Sequence, residues 1–215
     1  MKHLFILGTA IVLVAGCMAS ANTWKSSCNS DYSNPNTGTY IFHVKKGEVG
    51  GCPSDKLKQE YGGYGWDWSE RAEVKTKSND MFGKWEWSAI IDIERDCRPA
   101  YRNTLFQVHA GGHLVNPPSW FGINSYNKFK TNAEGGGNTR QFVPKSPFKL
   151  TAKIDATRKD VKIDYFVNEQ LVTSTHKYSI GNGYDSLFFK FGSYRVNANG
   201  DITQIYTNVK LKKVK

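Results

Sequence analysis

The chain has 215 residues and a formal net charge of +10, and its composition includes 13% aromatic residues and 20 glycines. This length suits one all-β domain and is enough to bury a core without structural metals or many disulfides. The positive charge predicts an anionic partner, such as a nucleic acid, an anionic membrane or an acidic glycan.

Residues 1–21 have the pattern of an export signal, with an apolar stretch at 4–15 that is too short to span a bilayer. Two processing sites compete. Residues 14–17 (Val-Ala-Gly-Cys) resemble a lipoprotein box in which Cys17 would be lipidated, and residues 19–21 (Ala-Ser-Ala) are typical of ordinary cleavage. We favour the lipoprotein and expect an exported protein, periplasmic, attached to the outer membrane or secreted, with any membrane contact made only through the lipid.

Export, together with the lack of a clustered basic helix or RNA-binding motif, argues against a nucleic-acid partner. The exported part keeps Cys28, Cys52 and Cys97. Three pairings are possible, and we prefer Cys28 with Cys52, which would tie down the N-terminal arm. No Cys or His pair has a zinc-like spacing, so neither a metal site nor a cofactor is expected.

After an extended arm at residues 22–38, strand patterns alternate with turns. Apolar and polar residues alternate over 148–155 and 161–165. Near the end of the chain the same pattern includes Ile205, Val209 and Leu211. Such alternation is typical of antiparallel sheets with one face packed on the core and the other exposed to solvent. A longer apolar strand is predicted over Trp85–Ile93, and one helical turn can form over Ser54–Gln59.

These elements predict an all-β chain with a single domain over residues 22–215. No segment has a helical period over three turns, and there is no repeat or linker. A two-sheet β-sandwich or jelly roll, of the concanavalin-like kind, follows. Such a sandwich can bend one sheet into a concave groove, which suits a long polymer better than a deep pocket does.

Three short stretches place polar residues at i, i+2 spacing, which puts them on one face of a strand. They are Arg71-Ala72-Glu73-Val74-Lys75, Gln107-Val108-His109 and Lys190-Phe191-Gly192-Ser193-Tyr194. The intervening Val74, Val108 and Phe191 are expected to point into the core. Together the stretches offer cations, a carboxylate, an amide, an imidazole and a phenol.

In this order the stretches resemble motifs of the jelly-roll polysaccharide lyases, which include alginate lyases, heparinase-type lyases and glucuronan lyases. The third motif, with Lys190, Tyr194 and Arg195, looks closer to heparinase-type and glucuronan lyases. Phe188 and Arg195 depart from the alginate-type motif, which has Tyr and Asn there. The resemblance implies a lyase of an acidic, uronate-containing polysaccharide, with a glucuronan-like substrate favoured over alginate or a glycosaminoglycan. Endo-cleavage is expected, because no long insertion that would close one end of the groove is evident.

The residue types suit β-elimination without a metal. Neutralising the uronate carboxylate stabilises the enolate-like transition state, and Arg71 and the Gln107 amide can do this with help from Lys190. His109 and Tyr194 are the acid–base pair that the motifs offer. If the C5 proton and O4 lie on the same side, Tyr194 can serve as both base and acid; if they lie on opposite sides, His109 is the base and Tyr194 the acid.

The remaining candidates concern substrate binding. Glu73 is interpreted mainly as orienting a cation. Further substrate contacts are predicted for Lys75, Arg195 and Trp120. Other ring side chains that can stack on sugars, and histidines without motif support, are Trp66, Trp68, Tyr126, His43, His113 and His176. The rival function is a non-catalytic carbohydrate-binding module on the same fold, which would need cations and aromatics but no acid–base pair.

Overall fold

The computed structural model describes residues 23–27, 32–34, 37–45, 69–94, 102–111, 118–132, 138–144, 147–179, 183–196 and 200–215. The expected export signal with Cys17, the pairing of Cys28 with Cys52, and Cys97 lie outside these residues, as do Ser54–Gln59, Trp66, Trp68 and His113. In the described ranges no helix is long and apolar enough to cross a membrane. The same ranges contain no group of three His, Cys, Asp or Glu side chains that could hold a metal ion.

The described residues form thirteen β-strands. In chain order the strands are β1 Trp24–Ser27, β2 Tyr40–Val44, β3 Ser69–Thr76, β4 Gly83–Glu94, β5 Arg102–Gly111, β6 Ser119–Asn124, β7 Lys128–Thr131, β8 Asn138–Phe142, β9 Phe148–Ala156, β10 Asp160–Val167, β11 Gln170–Tyr178, β12 Ser186–Val196 and β13 Ile202–Lys213.

The strands make two antiparallel sheets, which confirms the predicted all-β jelly roll. The front sheet has seven strands in the order β1-β3-β12-β5-β6-β7-β8, and the back sheet has six in the order β11-β10-β9-β4-β13-β2. Strands that are neighbours in a sheet are often far apart along the chain: β12 lies between β3 and β5, and more than seventy residues separate it from each of them. The long-range pairing therefore decides which motifs meet.

The alternation predicted for β9 and β10 is confirmed, since their apolar residues are buried in every second position. In β13 the prediction that Ile205, Val209 and Leu211 lie on one buried face is partly wrong. Tyr206 and Leu211 point inward opposite Ile91 and Trp87, whereas Ile205 lies on the outer side. The register shifts between Thr207 and Lys210 around Asn208, whose φ is 52°; such a bulge breaks the period of two.

Aromatic rings from both sheets meet behind β12. Phe191 of β12 lies 5.2 Å from Tyr206 of β13 and 5.8 Å from Phe42 of β2, measured between ring centroids. Trp87 of β4 stacks on Phe106 of β5 at 4.4 Å. Such pairs add about 0.5–1.5 kcal/mol each beyond the burial of apolar area. This cluster fixes the position of β12 against the back sheet.

A bulge in β12 lies directly in front of this cluster. Against β5 the register shifts between Phe191 and Tyr194, and Gly192 has a φ of 135°. A Cβ at Gly192 would lie 2.4 Å from the Ala72 carbonyl oxygen, so no side chain fits there. The buried Tyr206 hydroxyl donates toward the Gly192 carbonyl oxygen at 2.8 Å, which supports the bulge from behind.

Gly192→Ala is expected to destabilise the protein more than Gly38→Ala. Gly38 also has a positive φ, of 80°, but its added Cβ would meet nothing closer than 3.7 Å. The left-handed backbone alone costs about 1–2 kcal/mol, and an overlap with backbone at Gly192 adds about 1–3 kcal/mol. Urea unfolding of both variants measures the difference, and equal losses would contradict the close approach at Gly192.

Candidate active site

The three motif strands are neighbours in the front sheet. Lys190 of β12 pairs with Lys75 of β3 on one side and with Gln107 of β5 on the other. Tyr194 pairs in the same way with Arg71 of β3. Residues directly opposite one another in adjacent strands point to the same face. The pairing therefore gathers these side chains on the outer face of the front sheet, while Val74, Val108 and Phe191 are buried in the core.

Glu73 is the centre of this group. Its side chain is 1% exposed, and its Oε1 accepts a hydrogen bond from Gln107 Nε2 at 2.6 Å. Its Oε2 lies 3.6 Å from Arg71 Nη1 and 3.9 Å from Lys190 Nζ. A buried carboxylate needs such partners because its desolvation is costly. Two cations facing one anion leave the group with excess positive charge.

The Glu73 contact also fixes the orientation of the Gln107 amide. An ionised carboxylate only accepts hydrogen bonds, so the Gln107 nitrogen, not its oxygen, faces Glu73. The amide nitrogen carries a second N–H, which remains able to donate to a bound anion. Glu73 thus orients an amide donor as well as the two cations.

The Tyr194 ring lies between two guanidinium groups. The Cζ of Arg71 is 4.1 Å from the ring centroid, and the Cζ of Arg102 is 5.0 Å from it. Arg102 is also 4.8 Å from the ring of Trp120, which pairs with Gln107 from β6. Cation–π contacts of this kind hold a ring in place while leaving its edge accessible.

His109 lies at the far end of β5 and stacks on Phe188, with ring centroids 4.9 Å apart. Its Nδ1 is 3.2 Å from the Ala110 carbonyl oxygen. A carbonyl only accepts, so this contact favours the tautomer with the proton on Nδ1 and a lone pair on Nε2.

The pKa of His109 is lowered to about 4, first by burial and then by the positive charge of Lys190. The Ala110 hydrogen bond and the Glu73 charge oppose this shift, and Arg71 adds to it. The imidazole is therefore neutral near pH 7 and able to accept a proton. Burial is the main cause of the lowered pKa, and the positive charge of Lys190, which adds to it, would also attract an anionic ligand.

Two further predicted contacts lie on this face. Lys75 Nζ is 5.1 Å from the Phe188 ring centroid, and burial lowers the pKa of Lys75, as do the charges of Lys25 and Lys190. Trp120 lies beside Gln107 and is 8% exposed.

Arg195 requires a correction, because the structure turns it away from this face. Its side chain is 1% exposed, and it donates to the Gly200 carbonyl oxygen at 2.7 Å and to the Val44 carbonyl oxygen at 3.2 Å. The period of two along β12 places Arg195 opposite in direction to Tyr194. We therefore assign Arg195 a structural role between the sheets in place of the predicted substrate contact.

The histidines without motif support that the structure describes lie on the back sheet. His43 of β2 bonds Thr203 Oγ1 at 3.0 Å, and His176 of β11 contacts Asp160 Oδ1 at 2.5 Å. Tyr126 is 73% exposed in the turn after β6. None of the three contacts the residues around Glu73 in the described part of the chain.

Arg102 is a site residue that the motifs did not include, and Phe188, which the sequence analysis noted only as a departure from the alginate-type motif, contacts His109 and Lys75. Arg102 is five positions before Gln107, and a strict period of two would put it on the core face. The register of β5 against β6 shifts between Thr104 and Phe106, which brings Arg102 to the outer face. The signal in the sequence is that a charged residue starts the strand, where burial in the core would be costly.

The sequence matches no family model and no curated protein. Among solved structures, an alginate lyase of polysaccharide lyase family 7 is similar with a TM-score of 0.57 and 12% identity, over 89% of this chain and 94% of that one. The fold is that of the jelly-roll alginate lyases. The alginate lyase from Corynebacterium sp. is similar with a TM-score of 0.54 and 14% identity, over 84% of this chain and 80% of that one.

A sialidase is similar with a TM-score of 0.54 and 9% identity, over 90% of this chain but 17% of the sialidase. The chain therefore corresponds to a small part of that protein and to most of each alginate lyase. At these identities the likeness is one of fold.

The folded state is expected to lose stability through His109 as the pH falls. The pKa of His109 lies at about 4 in the folded chain, below its ordinary value of 6.5. The unfolded chain therefore binds this proton first, so the contribution is complete above pH 6.5 and is lost between pH 6.5 and 4. Urea unfolding at several pH values should show a shallower decline for His109→Asn than for the parent, and parallel declines would contradict this.

Proposed function

We propose that this protein is a polysaccharide lyase that cleaves a uronate-containing polysaccharide by β-elimination on the outer face of the front sheet. The observation that carries the proposal is the gathering of Arg71, Gln107 and Lys190 around one buried carboxylate, next to Tyr194. Binding an anion explains the excess cations, but an imidazole held neutral on the same face suits proton transfer.

The chemistry begins with the substrate carboxylate. Arg71 and the free N–H of Gln107 bind it, Lys190 adds positive charge, and the negative charge that develops after proton loss at C5 is stabilised. These donors are already oriented by Glu73, so little reorganisation is needed during the reaction. The neutralisation is supplied by side chains, and turnover is therefore expected to persist in a chelator.

Two side chains, His109 and Tyr194, carry out the proton transfers. A base takes the C5 proton, the C4–O4 bond breaks as the C4–C5 double bond forms, and an acid protonates the departing O4. For substrates with the C5 proton and O4 on opposite sides, His109 Nε2 is the base and Tyr194 the acid. For substrates with both on the same side, Tyr194 serves in both steps, and His109 lies on the same face of the sheet, at Phe188 of β12.

Alginate and glucuronan are the two substrates to test first. The preference for glucuronan came from the motif that contains Arg195. Because Arg195 is buried and bonds backbone carbonyls, a direct contact between Arg195 and the substrate no longer supports that preference. The fold likeness to alginate lyases supports alginate as an equal candidate. Endo-cleavage remains our expectation, because the sequence has no evident long insertion that would close one end of a groove.

A non-catalytic carbohydrate-binding module is the alternative. Cations and the aromatic rings of Trp120 and Phe188 would serve that function as well. The two functions differ in one product, because only a lyase generates a C4–C5 unsaturated uronate with ultraviolet absorbance. Binding without this product, across glucuronan, alginate and glycosaminoglycans at mildly acidic to alkaline pH, would leave the binding module as the function.

Tyr194→Phe is expected to abolish most turnover while binding persists. The variant keeps the ring between Arg71 and Arg102 and removes only the hydroxyl that transfers the proton. Loss of a general acid or base costs about 10²- to 10⁴-fold in kcat. The assay follows ultraviolet absorbance during digestion, and Tyr126→Phe, at an exposed turn tyrosine, is the matched control. Undiminished activity of Tyr194→Phe would remove Tyr194 from the mechanism.

His109→Ala separates the two stereochemical routes. On a guluronate-rich polymer, where His109 is the base, the loss of kcat should match that of Tyr194→Phe. On a mannuronate or glucuronate polymer, where Tyr194 is both base and acid, the loss should be smaller. Parent-like activity on every polymer would show that His109 takes no part in the reaction.

A further inference from the structure

Arg102 is a half-buried cation whose charge no carboxylate balances in the described part of the chain. Its guanidinium contacts two rings, at 4.8 Å from Trp120 and 5.0 Å from Tyr194. Its Nε is buried and has no hydrogen-bond partner among the described residues. By contrast, Arg71 on the other side of Tyr194 lies 3.6 Å from the Glu73 carboxylate. Arg102 is therefore a cation whose charge an incoming anion would neutralise.

The geometry of Arg102 suits a carboxylate. Two aromatic rings lie close to the guanidinium group, and the terminal N–H groups of an arginine form the fork that binds a carboxylate through two parallel hydrogen bonds. Because Trp120 and Tyr194 hold the group in place, less rotamer freedom is lost on binding than with a free surface arginine.

The strands next to Arg102 extend the outer face of the front sheet away from Tyr194. One register line crosses the front sheet from Tyr194 through Thr104 and Gly122 to Lys130. Gly122 has no side chain, and none fits there, because a Cβ would lie 2.3 Å from the Asn103 carbonyl oxygen. Neighbouring strands are about 4.8 Å apart, so Lys130 is about 14 Å from Tyr194 along this line.

We propose that Arg102, together with Trp120, forms a second carboxylate subsite, which binds a uronate next to the one that is cleaved. From this subsite the register line continues through Gly122 to a further cation, Lys130, and this is the direction in which we expect the polymer to extend. The proposal rests on the proposed lyase function and sharpens it: the substrate class is a polymer with uronates at neighbouring positions, rather than one in which single uronates alternate with neutral or amino sugars.

The test compares binding of two probes in the Tyr194→Phe background, which stops turnover and keeps the ring under Arg102. The probes are uronate tetramers, made of mannuronate or glucuronate, and the same tetramers with their carboxyl groups reduced to alcohols. Titration calorimetry measures Kd for proteins with Arg102, Arg102→Met and Arg102→Lys. Arg158→Met is the matched control, since Arg158 stacks 4.8 Å over Phe82 away from this face.

Arg102→Met should raise the Kd for the uronate tetramer by about 10- to 100-fold, the effect of losing one charge-assisted hydrogen-bonded pair. The Kd for the reduced tetramer should not change. Arg102→Lys should recover part of the affinity, and Arg158→Met should behave as the parent. Equal losses for both tetramers would show that Arg102 only supports Trp120 and Tyr194, and this would overturn the subsite, as would an unchanged Kd for the uronate tetramer.

The two proposals fail in different ways. If uronate tetramers bind in an Arg102-dependent manner but the parent protein never forms an unsaturated product, the lyase function fails and the carboxylate subsite stands. If the parent protein cleaves polyuronates and Arg102→Met binds and cleaves them as well as the parent does, the subsite fails and the lyase function stands.

Discussion

The candidate site depends on the burial of one carboxylate. Glu73 is 1% exposed, and it is stabilised only because an amide and two cations from three adjacent strands surround it. Each partner comes from a different part of the chain, so the carboxylate is satisfied only when β3, β12 and β5 are correctly paired. The same contacts orient Arg71, Gln107 and Lys190 toward the outer face. Folding and preorganisation of the site are thus one event.

The aromatic core behind β12 supports this arrangement. Phe191 packs against Tyr206 and Phe42 from the back sheet, and Tyr206 also donates to the carbonyl of Gly192. The bulge that starts at Gly192 lets β12 keep its register with β3 while it changes register with β5. Tyr194, which follows the bulge, is thereby held beside Arg71. A change at the hidden side of the sheet therefore reaches the outer face through the backbone of β12.

Electrostatics link binding to chemistry at this face. Burial lowers the pKa of His109, the charges of Lys190 and Arg71 lower it further, and the outcome is a neutral imidazole next to a cationic cluster. An anionic ligand would offset these charges and make the imidazole a stronger base as it binds. Arg102, which lacks a carboxylate partner in the described residues, extends the positive face beyond Tyr194. Part of the net positive charge of +10 is thus concentrated on the outer face of the front sheet.

The sequence by itself determined the all-β class, several of the strands and the polar faces of the three motifs, because side chains alternate along each strand and this pattern needs no distant contact. The tertiary structure decided what the alternation could not. It placed β12 between β3 and β5 and so built the contacts of Glu73. It turned Arg195 to the carbonyls of Val44 and Gly200, and brought Arg102 to the outer face through a register shift. Bulges change the face of a residue by one position, and their presence depends on pairing with strands far away along the chain.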